Sequence, residues 1–314
     1  QEMERKFGIE LEIVGITQHA ALKALKAVNI KVHSEGYNHT TKKHWKIVPD
    51  GSVVGGFEVV SPILKGEAGL DEAEIVARAL EDAGAYANKN CGFHVHFDAS
   101  GLETRQLKNI IRRYADHECE IDAFMPQSRR GNANKYCKAL DWISTTEFET
   151  ANTAIELADA QPSRYYKVNL KSYQRHGTIE FRQLSGTVNA MKVCNWVRFL
   201  SEFMDECARE AIAGQAMPTA HLSPVNRKLV QMLENGSVAI SGICEAFGWL
   251  PHTARAAIAR LRKTGLQIVS EKVNGQPGYR LVGAQQPQGL WAGISSKVAL
   301  FYQRRAAVLA VAAA

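Results

Sequence analysis

The chain has 314 residues, 46% of them hydrophobic, and a formal net charge of +6 at pH 7. This length predicts one large domain and one small domain, with a sizeable core. No uncharged apolar run reaches about 18 residues, and the start lacks the basic-then-apolar layout of a secretory signal, so we expect a soluble, cytoplasmic protein without membrane partners. The six cysteines form no CxxC pair, which argues against a zinc ribbon or a disulfide scaffold.

The first predicted element is a strand with two chemically different faces. In Phe7-Gly-Ile-Glu-Leu-Glu12 the apolar residues point one way, whereas Glu10 and Glu12 point the other way, two positions apart. Two carboxylates this close repel each other unless a cation lies between them. A helix over residues 17–29 and strands over 31–34 and 43–48 follow, and a turn at 50–52 leads to a strand at 56–62 that carries Glu58.

A strand over residues 91–98 repeats the two-faced pattern. Its apolar residues alternate with His94, His96 and Asp98. Helical periodicity predicts helices over 67–88 and 103–125, which would cover the apolar face of the sheet. Their predicted buried positions are Ile75, Ala79 and Leu80 in the first helix and Leu107, Ile110, Ile111 and Tyr114 in the second. The polar, basic loop over 126–136 either closes over phosphates or is simply solvated.

The stretch from His176 to Thr187 is the third segment of this kind. Ile179 and Phe181 alternate with Glu180 and Arg182, and a long amphipathic helix over 187–211 follows. Half-exposed strands of antiparallel sheets also carry charges for solubility or cross-strand pairing. However, three strands that together offer carboxylates and imidazoles on one face indicate a divalent metal site.

Positive charge is concentrated at the C-terminal end. From His221 onward 11 Lys and Arg stand against 3 Glu, whereas the residues before it carry a net charge of −2. We predict a linker at 212–222, a domain at 223–284 and a helical tail at 285–314. Three helices and a hairpin with an Asn274-Gly275 turn indicate that the second domain is a winged helix-turn-helix. Such a module places its third helix either in a DNA major groove or against a protein. The basic residues of that helix are Arg255, Arg260, Arg262 and Lys263.

The carboxylates favour phosphate chemistry with Mg²⁺ or Mn²⁺. Glu10, Glu12, Glu58 and Glu180 are hard oxygen ligands, and one histidine can join them. The sequence contains neither GxxxxGK[ST] nor a strand-GxGxxG-helix unit, so any nucleotide must be held by metals and by cations such as Arg182.

Four motifs within residues 5–210 resemble the amidoligase family, which is similar to carboxylate-amine ligases such as glutamine synthetase and glutamate-cysteine ligase. They are Gly8-Ile-Glu-Leu-Glu12, the 45–62 segment with Asp50-Gly-Ser and Glu58-Val-Val-Ser-Pro, Gly92-Phe-His-Val-His-Phe, and Gly177-Thr-Ile-Glu-Phe-Arg-Gln-Leu. The resemblance implies an α+β fold, with an antiparallel sheet of the glutamine synthetase type covered by helices. It also implies an ATP-dependent ligase that joins a carboxylate and an amine through an acyl phosphate.

Residue roles follow from that resemblance. Glu10, Glu12, Glu58 and Glu180 correspond to metal ligands, His94 or His96 to the histidine near the nucleotide phosphates, and Arg182 to the phosphate-binding arginine. Glu58 and Arg182 are the residues expected to act in catalysis, and Arg129, Arg130 and Lys135 would cover the nucleotide. The C-terminal domain resembles a small winged-helix module without assigned function, so a nucleic acid or nucleoprotein substrate is a further hypothesis.

Three alternatives stay open on the sequence alone. The spacing His94-x-His96-x-Asp98 overlaps a zinc-hydrolase pattern, although Ala99 stands where a further ligand is expected. The large domain could instead sense a ligand for a DNA-binding regulator. The third alternative is that Cys91 acts as a nucleophile, although a cysteine in such a strand is more often part of the core.

Overall fold

The computed structural model describes residues 3–212, 223–263, 266 and 268–281. The chain divides into two compact units, Gln1–Ile212 and Ala213–Ala314. Within the described residues, no helix combines the length and apolar character needed to cross a membrane. The predicted linker, except Ile212, and the predicted tail lie outside the described residues.

The first unit is built on one sheet of eight strands. Seven follow the spatial order β2-β3-β4-β1-β6-β8-β7, and β5 pairs with β1. All the pairings are antiparallel except β2 with β3. The strands are β1 (Lys6–Val14), β2 (Val32–Ser34), β3 (Trp45–Val48), β4 (Gly56–Val60), β5 (Leu64–Lys65), β6 (Phe93–Asp98), β7 (Val168–Asn169) and β8 (Thr178–Phe181). The α+β class with a mostly antiparallel sheet is therefore confirmed.

The first unit also contains eight α-helices within the described residues. They are α1 (Gln18–Ala27), α2 (Gly66–Asp82), α3 (Thr104–Asp116), α4 (Glu118–Phe124), α5 (Thr146–Thr150), α6 (Ala154–Ala160), α7 (Lys171–His176) and α8 (Ala190–Ile212), with 3₁₀ turns at Gln127–Arg129 and Asp141–Ser144. The Thr17 hydroxyl caps α1 by accepting from the Ala20 amide at 3.1 Å. Gly177, at φ +65°, ends α7 in the left-handed conformation that glycine adopts without strain, so β8 can begin at once.

The apolar face of the sheet packs against α3 and α8. The Phe181 ring of β8 lies 5.6 Å from the Tyr114 ring of α3 and 6.4 Å from the Phe203 ring of α8. Phe97 of β6 packs edge-on against Phe181 at 6.1 Å. The apolar residues predicted for the three two-faced strands are all buried. The hydrophobic effect therefore fixes this face inward, and the carboxylates and imidazoles lie on the opposite face.

Two helix predictions need correction. The helix predicted over 103–125 is interrupted at His117, where the backbone leaves the helical region (φ −103°, ψ 14°). The second part, α4, carries Glu118 and Asp122, whose carboxylates accept from Lys167 Nζ. The helix predicted over 67–88 ends at Asp82. Its buried positions include Ala73, Val76, Ala77 and Leu80 at helical spacing, whereas Ile75 lies off that stripe and is 44% exposed.

The second unit contains three helices and a small antiparallel sheet. Its elements are α9 (Pro224–Glu234), β9 (Val238–Ala239), α10 (Ile240–Phe247), α11 (Pro251–Lys263), β10 (Ile268–Val273) and β11 (Gln276–Leu281). The sheet has the order β10-β11-β9. Asn274 and Gly275 both have positive φ at the turn between β10 and β11, as predicted for a tight hairpin. The winged-helix interpretation of this unit stays a prediction.

Candidate metal centre

Strand register brings the predicted ligands into one row across the polar face. Glu12 of β1 pairs with Glu58 of β4, and Glu10 of β1 pairs with His94 of β6. On the far side of β6, His96 pairs with Glu180 of β8. Neighbouring strands lie about 4.8 Å apart, so side chains in such a row can share ligands.

One end of the row is a group of three carboxylates. Donor oxygens of Glu12, Asp50 and Glu58 lie within 4.8 Å of one another. Burial, followed by the charges of Glu10, Glu12 and Asp50, raises the pKa of Glu58 well above its ordinary value. Without a cation between them, the three carboxylates therefore disfavour the ionised form of Glu58.

Asp50 was not predicted as a ligand. Its carboxylate accepts from the Ser52 amide at 2.7 Å, which is the turn interaction that the sequence indicates. Its position could have indicated this role. Val48 at the end of β3 pairs with Glu58, so a carboxylate two residues later lies close to Glu58.

The middle of the row joins Glu10 to both histidines. His94 Nδ1 lies 3.1 Å from Glu10 Oε2, and His96 Nε2 lies 3.3 Å from Glu10 Oε1. Burial raises the pKa of Glu10, but the hydrogen bond to His94 and the close contact with His96 together outweigh it and hold that pKa well below the ordinary value. His94 also lies 3.8 Å from the mostly buried Glu12 carboxylate. Both histidines therefore contact the cluster, each in a different group of donors.

Glu180 lies at the other end of the ligand row, beside the Arg182 guanidinium. Its carboxylate accepts from Arg182 Nη1 and, at 2.5 Å, from Asn169 Nδ2. Burial opposes ionisation of Glu180, but Arg182, His96 and His94 together lower its pKa. Arg182 Nε also donates to the Tyr136 carbonyl at 3.3 Å. A guanidinium has five N–H donors, so Arg182 keeps further donors for an anion.

These donors fit divalent cations that prefer oxygen ligands. Two mixed groups, Glu10-Glu58-His94 and Glu10-His96-Glu180, have donor atoms within 4.8 Å of one another, as does the all-carboxylate group. The Nε2 atom of His96 is buried and has no hydrogen-bond partner among the described residues. Carboxylates with one imidazole suit Mg²⁺ or Mn²⁺, and the three overlapping groups could hold more than one ion.

Arg129 lies beside the cluster and is only 3% exposed. Its Nη2 donates to the Cys91 carbonyl at 2.5 Å, whereas its buried Nε has no partner among the described residues. A Cβ placed on Gly92 would lie 2.8 Å from His94 Nε2 and 3.4 Å from both Nη atoms of Arg129, so the two side chains border the same gap. Arg129 is therefore a buried cation near His94 and Glu12, and its predicted contact with a nucleotide stays a prediction.

The other two basic residues of this loop differ from Arg129. Arg130 is exposed and donates through Nε to the Met125 carbonyl at 2.8 Å. Lys135 is also exposed, and its Nζ lies over the Tyr136 ring at 4.8 Å. Their predicted contact with a nucleotide stays a prediction.

Two alternative chemistries gain no support from the geometry. Asp98 accepts from the Ser100 amide at 3.0 Å and belongs to none of the ligand groups formed by the described residues, so the three members of the zinc-hydrolase pattern do not converge. Cys91 is buried, and burial followed by the Glu12 charge raises the pKa of its thiol. A nucleophilic cysteine needs the opposite shift.

Comparison with known families gives two matches. Residues 3–204 match the model of a family described as "Putative amidoligase enzyme". Residues 226–281 match a second family, described as a protein of unknown function. No curated protein matches the chain. The first match covers every strand of the eight-stranded sheet and every member of the metal-ligand row.

Proposed function

The chain belongs to the amidoligase family, and from that premise we propose that it is an ATP- and Mg²⁺-dependent ligase that joins a carboxylate to an amine. The product is an amide or isopeptide bond formed through an acyl phosphate. The observation that carries this proposal is the row of three overlapping ligand groups on one sheet face, with buried or largely buried guanidinium groups beside it.

The proposed reaction has two steps. One oxygen of the substrate carboxylate attacks the γ-phosphorus of ATP, the bond from phosphorus to the β,γ-bridging oxygen breaks, and ADP leaves. The neutral amine nitrogen then attacks the acyl carbon, the C–O bond to phosphate breaks, and the proton lost by the nitrogen ends on the leaving phosphate. Both steps develop negative charge on phosphate oxygens, so positive groups that are already in place lower the barrier.

Divalent cations would be held by Glu10, Glu12, Glu58, His94 and Glu180, with Asp50 and His96 as additional donors, and they would neutralise phosphate oxygens. Glu180 and the Tyr136 carbonyl orient the Arg182 guanidinium, which leaves its remaining donors for the transferred phosphoryl group. Arg129 supplies a second fixed positive charge next to His94. A buried cation without a carboxylate partner in the described structure favours binding of an anion there.

The first experiment compares thermal unfolding of the full chain with and without Mg²⁺ and a non-hydrolysable ATP analogue. A ligand at a hundredfold excess over its dissociation constant stabilises the native state by about 2.7 kcal/mol. For a unit of this size that corresponds to about 5–10 °C. We expect a Mg²⁺-dependent rise of this order in the wild type and a smaller rise in Arg182→Met.

Arg78→Met is the matched control, because Arg78 is an exposed arginine that pairs with Glu74 on α2. It should keep the full rise. Hydroxylamine added with ATP and a panel of carboxylates would trap the acyl phosphate as a hydroxamate. Absence of any Mg²⁺-dependent rise at saturating nucleotide would contradict the ligase proposal, and bound zinc would then favour the hydrolase alternative.

For residues 223–281 we propose nucleic acid binding through α11. Arg255 and Arg260 of this helix are exposed, whereas Arg262 binds the Ile268 carbonyl and the Ser270 hydroxyl and so fastens α11 to β10. The side chain of Lys263 lies outside the described residues. Exposed arginines along one helix suit phosphate contacts, whose strength falls as salt rises.

Fluorescence anisotropy with a labelled duplex tests this proposal. Arg255→Ala with Arg260→Ala should weaken binding at low salt and flatten its salt dependence. Arg280→Ala is the control, because Arg280 already pairs with Glu271 at 3.4 Å. If the wild-type chain bound no duplex at low salt, the nucleic acid proposal would be wrong, and binding of a protein by this unit would be the remaining alternative.

A further inference from the structure

Two tyrosine side chains outside the metal centre form an aromatic pair. The ring centres of Tyr136 and Tyr165 lie 5.3 Å apart at an angle of 75°, which is the edge-to-face geometry that aromatic rings favour. Tyr136 is 37% exposed and Tyr165 is partly buried. This tyrosine pair therefore presents an aromatic surface that a ligand can reach.

The tyrosine pair adjoins Arg182, the proposed phosphate-binding arginine. The guanidinium carbon of Arg182 lies 6.0 Å from the centre of the Tyr165 ring, and Arg182 Nε donates to the Tyr136 carbonyl at 3.3 Å. The same guanidinium binds the Glu180 carboxylate at the end of the ligand row. A molecule whose phosphate contacts Arg182 therefore has the aromatic surface within reach.

Backbone hydrogen bonds hold the tyrosine pair beside Arg182. The Lys138 amide donates to the Tyr165 carbonyl at 2.9 Å, which joins the two segments that carry the rings. The Lys167 amide donates to the Lys138 carbonyl at 2.9 Å, and the Arg182 amide donates to the Lys167 carbonyl at 2.8 Å. Because these bonds use only the main chain, they fix both segments to the strand end that carries Arg182. The aromatic surface is thus in place without a ligand.

Positive side chains flank both rings. The guanidinium carbon of Arg164 lies 5.2 Å from the centre of the Tyr165 ring, and Lys135 Nζ lies 4.8 Å from the centre of the Tyr136 ring. Together with Arg182, these cations repel a cationic amine that would otherwise bind a ring face. Arg164 and Lys135 are both exposed, so they can move aside for a flat group. The tyrosine pair therefore suits a flat, uncharged group attached to an anion, and a nucleobase joined to phosphates is such a group.

We propose that the tyrosine pair binds the base of the nucleotide by stacking, with Tyr165 as the principal contact. The inference rests on the ligase proposal and makes it more specific, because it states how the phosphoryl donor is selected. A ring face binds any base, and its affinity follows the strength of stacking and not the hydrogen-bonding pattern of the base edge. The site should therefore accept adenine and guanine alike.

The test is a titration of the full chain with three probes in the presence of Mg²⁺. Two probes are non-hydrolysable analogues of ATP and GTP, and the third is tripolyphosphate, which has the phosphates without the sugar and the base. Stacking of one base on an aromatic side chain raises affinity by about 5- to 150-fold. We expect both analogues to bind more tightly than tripolyphosphate by a factor of this order, and to differ from each other by less than about threefold.

Tyr165→Leu should weaken binding of both analogues by about 5- to 150-fold. Binding of tripolyphosphate should stay unchanged, because this variant keeps Arg182 and the ligand row. Tyr165→Phe keeps the ring and should bind all three probes as the wild type does. Tyr86→Leu is the matched control, because Tyr86 is 57% exposed and belongs to none of the proposed binding groups.

Equal affinity for the three probes in the wild type would overturn the proposal, as would a preference for the analogues that survives in Tyr165→Leu. Loss of tripolyphosphate binding in Tyr165→Leu would show that the ring only positions Arg182, which also contradicts base binding. A preference of more than about tenfold for one purine would contradict recognition by stacking. Mg²⁺-dependent binding of the analogues alongside any of these results would leave the ligase proposal standing, whereas the ligase proposal itself fails if none of the probes binds with Mg²⁺.

Discussion

Gly92→Ala tests whether the ligand row is a metal site without removing any ligand. The added methyl carbon would lie 2.8 Å from His94 Nε2, closer than any ordinary contact, so the imidazole must move by several tenths of an ångström. The Gly92 amide, which donates to Glu12 Oε2 at 2.6 Å, is retained. Displacing a group that orients a metal ligand costs about 10- to 100-fold in metal affinity. That equals about 1.4–2.8 kcal/mol.

The assay is calorimetric titration with Mn²⁺, together with thermal unfolding at a fixed Mn²⁺ concentration. A loss of this size lowers the metal-induced rise in melting temperature by about 3–10 °C for a unit of this length. Gly101→Ala is the matched control, because a methyl group there meets no atom within 4 Å. If Gly92→Ala bound Mn²⁺ as the wild type does, the placement of His94 in the metal centre would be wrong.

Three further substitutions have defined outcomes. Glu58→Gln removes one of three carboxylates whose donor atoms lie within 4.8 Å, so the metal-free protein should melt higher while the metal-induced rise shrinks. Lys167→Met leaves the carboxylates of Glu118 and Asp122 without their buried partner and should lower the free energy of unfolding in urea by about 3–5 kcal/mol. Arg78→Met removes only an exposed ion pair and should leave the free energy of unfolding nearly unchanged. Burial lowers the pKa of His117 to about 3 from 6.5. The unfolded chain therefore takes up this proton first, and stability present above pH 6.5 is lost as the pH falls towards 3, by up to about 1.4 kcal/mol per pH unit. His117→Gln should be less sensitive between pH 6.5 and 5, and equal losses in both proteins would contradict the assignment.

Periodicity was sufficient to predict which side of each strand is polar. Alternation depends only on the backbone repeat of two, and Phe93, Val95 and Phe97 are fully buried as it requires. The hairpin turn at Asn274-Gly275 could also be predicted from neighbouring residues alone, because only residues that tolerate positive φ fit such a turn. Features fixed by a few neighbouring residues could therefore be read from the sequence.

The pairing of strands distant in sequence could not be predicted in the same way. Nothing local indicates that Glu12 lies opposite Glu58 or that His96 lies opposite Glu180, because a register shift of one residue would exchange the faces. Asp50 joins the cluster only through that long-range register. The resemblance to a family supplied the expectation that these residues meet, and the register supplies the physical reason.

The burial of Arg129 shows that a loop rich in turn-forming residues does not indicate which of its side chains are exposed. The same polar network holds both arginines of the site. Fully buried Lys167 binds Asp122, Asp122 also accepts from Gln183 Nε2 at 2.5 Å, and Gln183 Nε2 lies 3.3 Å from the Arg129 carbonyl. The Arg182 amide donates to the Lys167 carbonyl at 2.8 Å. The network thus ties the loop that carries Arg129 to the strand end that carries Arg182. Loss of the Lys167 side chain removes only the Asp122 and Glu118 end of this network, because the bond to the Arg182 amide uses the Lys167 main chain. On the ligase proposal, Lys167→Met should therefore weaken nucleotide binding through Asp122, Gln183 and the Arg129 loop, although Lys167 is not among the proposed metal ligands or phosphate-binding residues.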